Sequence, residues 1–349
     1  DFSEAYIAHY STKTIEEYCD KMVKGFPDQK WDGSRVKNLI ETRFFRYNKI
    51  TQEKIDIIKN KLNIDMSYLL KSLEKRKDVQ LFMLCYDKKE YEFVDNAVMT
   101  PLQCGAANGK DVCKLKDNTL NNISSSNFFY VENTGTYWIW KNICDAKYKG
   151  QTQYRRRLKG VDENLDYDKV FSEYDIICCK PYNYPENHDA FIPSDTVYGG
   201  YEYSHCIDDL KCLGEIIKTK YPEYADDWDK YIVSGTDLYY SNGFVLPSEK
   251  YDEYCSFLFN VLADWISENQ IMTYEDIIVH VSRNLGAGKY IRYPKEGKDP
   301  MKLTWPSIRW QCSLGGFLSE RILTLWISHN IPKEKRYEVE YEKMETMYI

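Results

Sequence analysis

The hydrophobic pattern divides the chain into a helical first part and a mixed second part. Up to residue 77, apolar residues recur three or four positions apart, which predicts helices at residues 15–23, 34–47 and 51–62 and a fourth from Asp65 or Ser67. From residue 79, apolar runs at 79–85, 174–180 and 240–247 alternate with helical patterns at 206–218, 224–233, 248–267 and 316–328. This alternation predicts an α/β domain with a mostly parallel central sheet and flanking helices, preceded by an α-helical segment.

The interval between the first two apolar runs contains loops and an aromatic helix. Residues 99–109 and 117–127 are rich in small and turn-forming residues, which indicates loops that cross the carboxyl edge of the sheet. The aromatic helix at 127–142 leads into a strand that ends in Arg155, Arg156 and Arg157. Adjacent guanidiniums repel one another, so three beside a buried strand indicate a bound anion; the alternative is an ordinary solvated charge run. If the strand continues, Arg156 faces the opposite side from the other two.

Composition excludes several classes of function. The chain has 54 acidic and 47 basic residues, so it lacks the positive balance of a general nucleic-acid binder. It has no apolar run long enough to span a membrane, and peripheral contact with the inner face of the cytoplasmic membrane stays open. Eleven scattered cysteines without a CxxC pair favour reduced thiols and a cytoplasmic location. The chain opens without Met or a signal pattern, so we expect it to be a piece of a longer polypeptide.

The aromatic content favours a carbohydrate ligand. The chain has 31 tyrosines and 8 tryptophans, and flat aromatic faces with polar edges bind sugars. Trp138 and Trp140 are two positions apart on one helix, so they cannot both face the core; one of them binds a ligand or merely covers an edge of the sheet.

The usual metal anchor for a diphosphate is not convincing in this sequence. The pattern Asp-Xaa-Asp occurs at 166–168, where it resembles a helix cap, and at 227–229, inside a predicted helix. Arginines in place of a metal are the simpler interpretation, so we predict no metal site and leave a divalent Mn²⁺ or Mg²⁺ as an alternative. The five histidines accompany no nucleophile motif, which disfavours a hydrolase.

Glu320 is the candidate general base. It follows a glycine pair in a helical pattern, where a partly desolvated carboxylate can remove a proton from an acceptor hydroxyl. The alternative is structural: an acidic residue in the first turn of a helix favours the helix dipole, and Glu320 with Arg321 forms an ion pair.

Residues 78–330 resemble the domain-of-unknown-function family 4422, also classed as glycosyltransferase family 111. The matching segments are TPLQCGAA (100–107), DNTLNNISSSN (117–127), ENTGTYWIWKN (132–142), QYRRRL (153–158), EYDIICCKP (173–181), the spaced His205 and Asp209, KYPEY (220–224), NGFVLPSEKYDEYCSFLF (242–259) and GFLSERIL (316–323). The resemblance implies a GT-A-like nucleotide-diphospho-sugar transferase fold. It also implies transfer of galactofuranose from its uridine diphosphate donor to a lipid-linked bacterial cell-surface glycan such as capsule or O-antigen.

Two features qualify this resemblance. The family usually shows His-Tyr-Arg-Arg-Tyr where this chain has residues 153–157, so Gln153 replaces a histidine. The stretch 283–309 is longer than in the family, which we interpret as a flexible loop on the acceptor side.

Residues 1–47 separately resemble the carboxy-terminal end of a glycosyltransferase family 92 module. We therefore expect three segments: 1–47 as the remnant of an upstream transferase, 48–77 as a helical linker, and 78–349 as the transferase domain.

The resulting hypothesis is an inverting glycosyltransferase that uses a UDP-sugar. The expected site residues fall into three groups: Glu320 and Asp209 as catalytic residues; Tyr86, Gln103, Asn122, Thr134, Trp138, Tyr154, Arg155 and Arg156 for the donor; and His205, Asn242 and Arg321 for the acceptor. The expected partners are the donor, a lipid-linked oligosaccharide acceptor, the upstream module and, as an alternative, a second copy of the chain. The competing hypotheses are a non-catalytic glycan-binding or scaffolding module and a phosphate-handling α/β enzyme.

Overall fold

The computed structural model describes residues 52–64, 76–86, 95–109, 111–154, 156–187, 193–291 and 305–343, with Glu17, Cys19, Asp20 and Ile40. The predicted helices at 15–23 and 34–47, the one from Asp65 or Ser67, and the proposed upstream remnant lie largely or wholly outside these residues. Arg155 and residues 292–304 of the predicted acceptor-side loop also lie outside them.

The predicted apolar runs form strands, and further strands lie outside these runs. The strands are β1 Val79–Cys85, β2 Met99–Gln103, β3 Leu115–Lys116, β4 Tyr148–Gln153, β5 Arg156–Leu158, β6 Ile176–Cys179, β7 Tyr182–Asn183, β8 Asp237–Leu238, β9 Phe244–Pro247, β10 Arg336–Val339 and β11 Tyr341–Lys343. The strand predicted at 79–85 is confirmed. The sequence placed residues 99–103 in a loop because of the small and turn-forming residues in and after this stretch; this was wrong, since they form β2.

Eleven α-helices are described around the sheet. They are α1 Gln52–Leu62, α2 Asn127–Tyr130, α3 Asn133–Asn142, α4 Tyr167–Glu173, α5 Val197–Ser204, α6 Ile207–Lys220, α7 Ala225–Trp228, α8 Ser248–Asn269, α9 Tyr274–Gly286, α10 Trp305–Gln311 and α11 Leu314–Asn330. The helix predicted at 51–62 is confirmed as α1. The predicted aromatic helix is two helices, because the chain turns at Val131, whose φ of 52° is incompatible with a continuous right-handed helix.

The central sheet has the order β10-β6-β9-β4-β1-β2-β3, with β5 paired to β4 and β11. Strands β3, β2, β1 and β4 are parallel, as are β6 and β10, whereas β9 is antiparallel to both of its neighbours. This architecture confirms the predicted α/β class with a mostly parallel sheet. The antiparallel direction of β9 was not predicted, since an apolar run does not show the direction of a strand.

The order of the strands places a crevice between β1 and β4. From β1 the chain first adds β2 and β3 on one side and then returns to add β4 on the other. The loops at the carboxyl ends of β1 and β4 therefore diverge, which is where open α/β sheets bind ligands. Because β9 is antiparallel and Gln151 pairs with Phe244, the turn that precedes β9 reaches this same edge.

Gly135 fixes the position of α3 against the crevice. A Cβ atom at this position would lie 2.6 Å from Cys104 Sγ and 2.7 Å from Leu84 Cδ2, at the carboxyl ends of β2 and β1. We expect Gly135→Ala to lower the free energy of unfolding by about 1–3 kcal/mol, because the added methyl group overpacks the core. Gly286→Ala is the matched helical control, since nothing lies within 4 Å of its Cβ position. Equal stability of the two variants in chemical denaturation would refute this packing.

Within the described residues, no helix is both long enough and apolar enough to cross a membrane.

Candidate active site

Four segments meet at the carboxyl edge beside the crevice. Glu132 directly precedes α3, Gln153 ends β4, Asn242 lies in the turn before β9, and Glu320 lies on α11. These segments are far apart in sequence. Side-chain hydrogen bonds join Glu132 to Gln153 and Asn242, and the backbone N–H of Ser241 donates to Glu320. The result is a pair of carboxylates, Glu132 and Glu320, at the edge where the fold places a ligand.

Glu132 is held through one carboxylate oxygen. Its Oε1 accepts hydrogen bonds from Gln153 Nε2 and Asn242 Nδ2, both at 3.0 Å, whereas its Oε2 accepts none from any other described residue. Burial raises the pKa of Glu132, and the charge of Glu320 adds to the rise; hydrogen bonds from its own backbone and the two amides oppose it. A carboxylate with a raised pKa and a free oxygen is suited to accept a proton.

Asn242 positions Glu132 and is itself closed to solvent. Its side-chain Nδ2 also lies 2.9 Å from Ser319 Oγ, and its backbone oxygen accepts from Gln151 Nε2 at 3.1 Å. The residue is 0% exposed. Asn242 was expected to bind the acceptor, but a fully buried side chain does not reach one. The structure shows instead that it fixes the orientation of the Glu132 carboxylate.

Glu320 uses both carboxylate oxygens within the protein. Oε1 accepts from the backbone N–H of Ser241 at 2.8 Å, and Oε2 accepts from Arg321 Nη1 at 3.0 Å. The predicted ion pair with Arg321 is therefore present. Its predicted place in the first turn of the helix is wrong, because α11 begins earlier, at Leu314. With both oxygens occupied, Glu320 is the less available of the two carboxylates.

Arg321 was expected to bind the acceptor, yet it is 4% exposed. Its Nη1 also donates to the carbonyl oxygen of Phe317 at 3.0 Å, and its guanidinium lies 4.9 Å from the centre of the Tyr201 ring. These contacts hold Arg321 inside the domain, where its charge balances that of Glu320.

The arginine-rich segment is a hairpin and does not continue β4. The strand ends at Gln153, and the chain reverses so that Arg156 pairs with Gln153 in antiparallel β5. Arg156 donates to Ser241 Oγ and its guanidinium lies 4.9 Å from the centre of the Tyr240 ring. Arg157 forms an ion pair with Glu342 at 3.2 Å on the outer side. Arg156 thus faces the turn that also contacts Glu320, whereas Arg157 does not.

Tyr86 and Tyr154, two of the residues expected to bind the donor, lie at the crevice. Tyr86 follows β1 directly and is 37% exposed, and its hydroxyl accepts from Arg309 Nη2 at 3.4 Å. Tyr154 is half-buried and follows β4, where its backbone N–H donates to the oxygen of Leu84 at 3.1 Å. These placements leave both tyrosines as candidates for donor binding.

Four other residues expected to bind the donor have internal contacts instead. Gln103 is 1% exposed and its Oε1 accepts from the backbone of Val112 at 2.9 Å. Thr134 is 0% exposed, and its hydroxyl donates to the oxygen of Val131 at 3.1 Å.

The remaining two of these residues also have contacts within the protein. Trp138 is 4% exposed, and its indole N–H donates to the oxygen of Thr119 at 3.0 Å. Asn122 is exposed and donates to the oxygen of Leu120 at 3.0 Å within its own loop. Burial removes Gln103, Thr134 and Trp138 from contact with a ligand; the structure assigns Trp138 to packing rather than to sugar binding.

Asp209 and His205 make their polar side-chain contacts with residues other than Glu132 and Glu320. Asp209, in the first turn of α6, is 2% exposed and its Oδ1 lies 2.7 Å from His280 Nε2 on α9. Burial raises the pKa of Asp209 and His280 opposes the rise. His205 contacts Gln311 Oε1 through Nδ1 at 3.0 Å, and its ring stacks on Phe317 at 3.9 Å. Both were expected in the reaction centre, but their polar contacts join helices and do not include either member of the carboxylate pair.

Both Asp-Xaa-Asp sequences have structural contacts, as the sequence indicated. Asp166 caps α4 by accepting from the backbone N–H of Lys169 at 3.0 Å, and Asp227 pairs with His329 at 2.7 Å. In the part of the chain that the structure describes, no group of three or more His, Cys, Asp or Glu side chains is arranged to hold a metal ion.

Comparison with known proteins decides the family. The model of the family described as "Domain of unknown function (DUF4422)" matches residues 82–285, more than half of the chain. The chain belongs to this family. A solved structure described as the apo structure of the WbbM bifunctional glycosyltransferase is similar with a TM-score of 0.55 and 22% sequence identity. At this identity the likeness is one of fold alone, and it is consistent with the GT-A-like fold expected for the DUF4422 chain. No curated protein matches it.

The likeness is limited in extent. It covers 77% of this DUF4422 chain and 45% of the WbbM chain, so this chain spans less than half the length of that structure. Activity, substrates and partners of the whole protein are therefore matters for proposal.

Proposed function

We propose that this DUF4422 chain is a glycosyltransferase that moves a sugar from a nucleoside diphosphate donor to a hydroxyl group, with Glu132 as the general base. One observation carries the proposal: a desolvated carboxylate with a free oxygen lies at the carboxyl edge beside the β1–β4 crevice. The GT-A-like fold supports the reaction class.

The proposed reaction is a single displacement. The Glu132 carboxylate takes the proton of the acceptor hydroxyl. At the same time, the oxygen of that hydroxyl attacks the anomeric carbon of the donor sugar. The bond from that carbon to the diphosphate breaks, and the nucleoside diphosphate leaves with the bonding electrons. Attack from the face opposite the leaving group inverts the anomeric configuration. Arg156, with Arg155, is proposed to neutralise the charge that develops on the diphosphate.

The resemblance noted in the sequence supplies the finer proposal. The donor is UDP-galactofuranose, and the acceptor is a lipid-linked oligosaccharide of a bacterial cell-surface polysaccharide, reached from the cytoplasmic side. The domain limits 1–47, 48–77 and 78–349 belong to the same proposal. The description of the WbbM structure as bifunctional supports a second transferase module in the full polypeptide.

Donor binding tests the proposed function against a glycan-binding module. Calorimetric titration with UDP, a panel of UDP-sugars and free oligosaccharides is expected to give saturable heat with UDP and with at least one UDP-sugar. A non-catalytic glycan-binding module would respond to oligosaccharides and give no heat with any nucleotide. That second pattern would refute a transferase function for this chain.

A further inference from the structure

One arginine at the crevice lies outside the segment that matches the family. Arg309 belongs to α10, beyond the matched residues 82–285. Its Nη2 donates to the hydroxyl of Tyr86 at 3.4 Å, and Tyr86 is the first residue after β1. Arg309 is therefore on the β1 side of the crevice, whereas Arg156, on β5 beside β4, is on the opposite side.

Buried polar contacts hold α10 in this place. Gln311 is 1% exposed; its Oε1 contacts His205 Nδ1 at 3.0 Å and its Nε2 donates to the oxygen of Ser204 at 2.9 Å. The His205 ring lies 5.1 Å from the ring of Trp310 and stacks on Phe317. These contacts give His205 a positioning role: it fixes the end of the helix that bears Arg309.

Arg309 has a charge that no acidic side chain neutralises among the described residues. Its hydrogen bond to Tyr86 is a contact with a neutral hydroxyl. Arg321 and Arg157 differ from Arg309, since Arg321 is paired with Glu320 and Arg157 with Glu342. Arg309 is also exposed, so its guanidinium is available to an anion from solution.

The two most exposed aromatic side chains adjoin this arginine: the Tyr86 hydroxyl accepts a hydrogen bond from it, and Trp310 follows it in the chain. Tyr86 is 37% and Trp310 41% exposed, and no other aromatic side chain in the described part of the chain is classed as exposed. Aromatic rings left open to solvent offer stacking surfaces for a base or a sugar. A planar guanidinium matches the oxygens of a diphosphate with two parallel hydrogen bonds.

We propose that Arg309 binds the diphosphate of a nucleoside diphosphate from the β1 side of the crevice, beside the exposed ring of Tyr86. This inference rests on the proposed function and adds a binding residue to it. Arg309 and Arg156 then hold the diphosphate from two sides. The arginine comes from a helix that follows the family-matched segment.

Titration calorimetry with UDP, uridine and inorganic pyrophosphate on the full chain tests this assignment. Arg309→Ala is expected to raise the Kd for UDP and for pyrophosphate by about tenfold or more, as loss of a charge-assisted hydrogen bond does. Uridine binding is expected to change little. Arg309→Lys keeps the charge without the two parallel donors, so its Kd for UDP is expected to lie between those of the wild type and the alanine variant.

The matched control is Arg283→Ala, which removes an exposed arginine near the end of α9 and is expected to leave the Kd for UDP unchanged. Unchanged UDP binding by Arg309→Ala, with UDP still bound by the wild type, overturns this inference and leaves the proposed function intact. Weaker pyrophosphate binding without weaker UDP binding overturns it as well, since the arginine then serves another diphosphate. A wild-type chain that binds no nucleotide at all contradicts the proposed function itself.

Discussion

Replacing Glu132 with glutamine is expected to lower kcat by about 10²–10⁴-fold, the contribution of a positioned general base. The amide keeps the size of the side chain and can still contact Gln153 and Asn242, but it cannot accept the proton of an acceptor hydroxyl. Donor binding should stay close to that of the wild type, because the proposed role begins with the acceptor. Steady-state kinetics together with the Kd for UDP separate these effects.

The same substitution is expected to leave the chain as stable as the wild type, or more stable, at neutral pH. Folding raises the pKa of Glu132 above its ordinary value of 4.5, so in the acidic range the folded state binds more protons than the unfolded state. Stability conferred by Glu132 therefore falls as pH rises from the unfolded pKa through the folded pKa. Glutamine removes this penalty. The difference between the thermal midpoints of the wild type and Glu132→Gln should therefore vanish below about pH 4.

Glu342→Gln provides the control for Glu132→Gln. Glu342 is exposed on β11 and pairs with Arg157, so its loss is expected to change neither kcat nor the thermal midpoint appreciably. Full turnover by Glu132→Gln would transfer the proposed role of base to another group, such as Glu320, whose charge acts on Glu132.

Replacing Asn242 with aspartate is expected to lower the free energy of unfolding at neutral pH by about 3 kcal/mol, the effect of an uncompensated buried charge. The change adds a carboxylate beside Glu132. It also replaces the amide that donates to Glu132 and Ser319 with a group that only accepts hydrogen bonds. The deficit should shrink as pH falls toward 4, where the carboxyl groups become protonated. Chemical denaturation at several pH values measures both effects.

Asn242→Gly separates charge from backbone conformation. The φ of Asn242 is 46°, a left-handed value that glycine adopts without strain. This variant loses the amide hydrogen bonds and keeps the turn, so we expect a deficit of about 1 kcal/mol that varies little with pH. An Asn242→Asp deficit that is equally independent of pH would contradict the placement of the new carboxylate beside Glu132.

The apolar runs predicted the scaffold well because strand and helix patterns depend on local burial. The run at 79–85 is β1, and the periodic segment at 206–218 is the core of α6, Ile207–Lys220. The failures have physical causes. The small and turn-forming residues that follow it concealed β2, and no pattern could show that β9 runs antiparallel. The arginine-rich strand is a hairpin because β11 supplies a partner for β5 from almost two hundred residues away.

The site was less predictable than the scaffold because its contacts join distant segments. Glu320 was found from its place in a helical pattern, whereas Glu132 follows an aromatic helix with no local sign of its role. The turn at Asn242 and the end of β4 at Gln153 give Glu132 its side-chain donors. Gln153 occupies the position where the family usually has histidine. Because Gln153 donates to Glu132, the residue at this position affects the proposed base.

Transfer itself tests the central claim most directly. The wild-type chain and Glu132→Gln are each incubated with a mixture of UDP-sugars and a lipid-linked acceptor mimic, and the acceptor is examined by mass spectrometry. The account predicts that the wild type adds the mass of one hexose to the acceptor and releases UDP, and that Glu132→Gln forms at least about a hundredfold less of the same product. Equal product from both proteins, or none from a wild-type chain that binds the donor and acceptor, would contradict it.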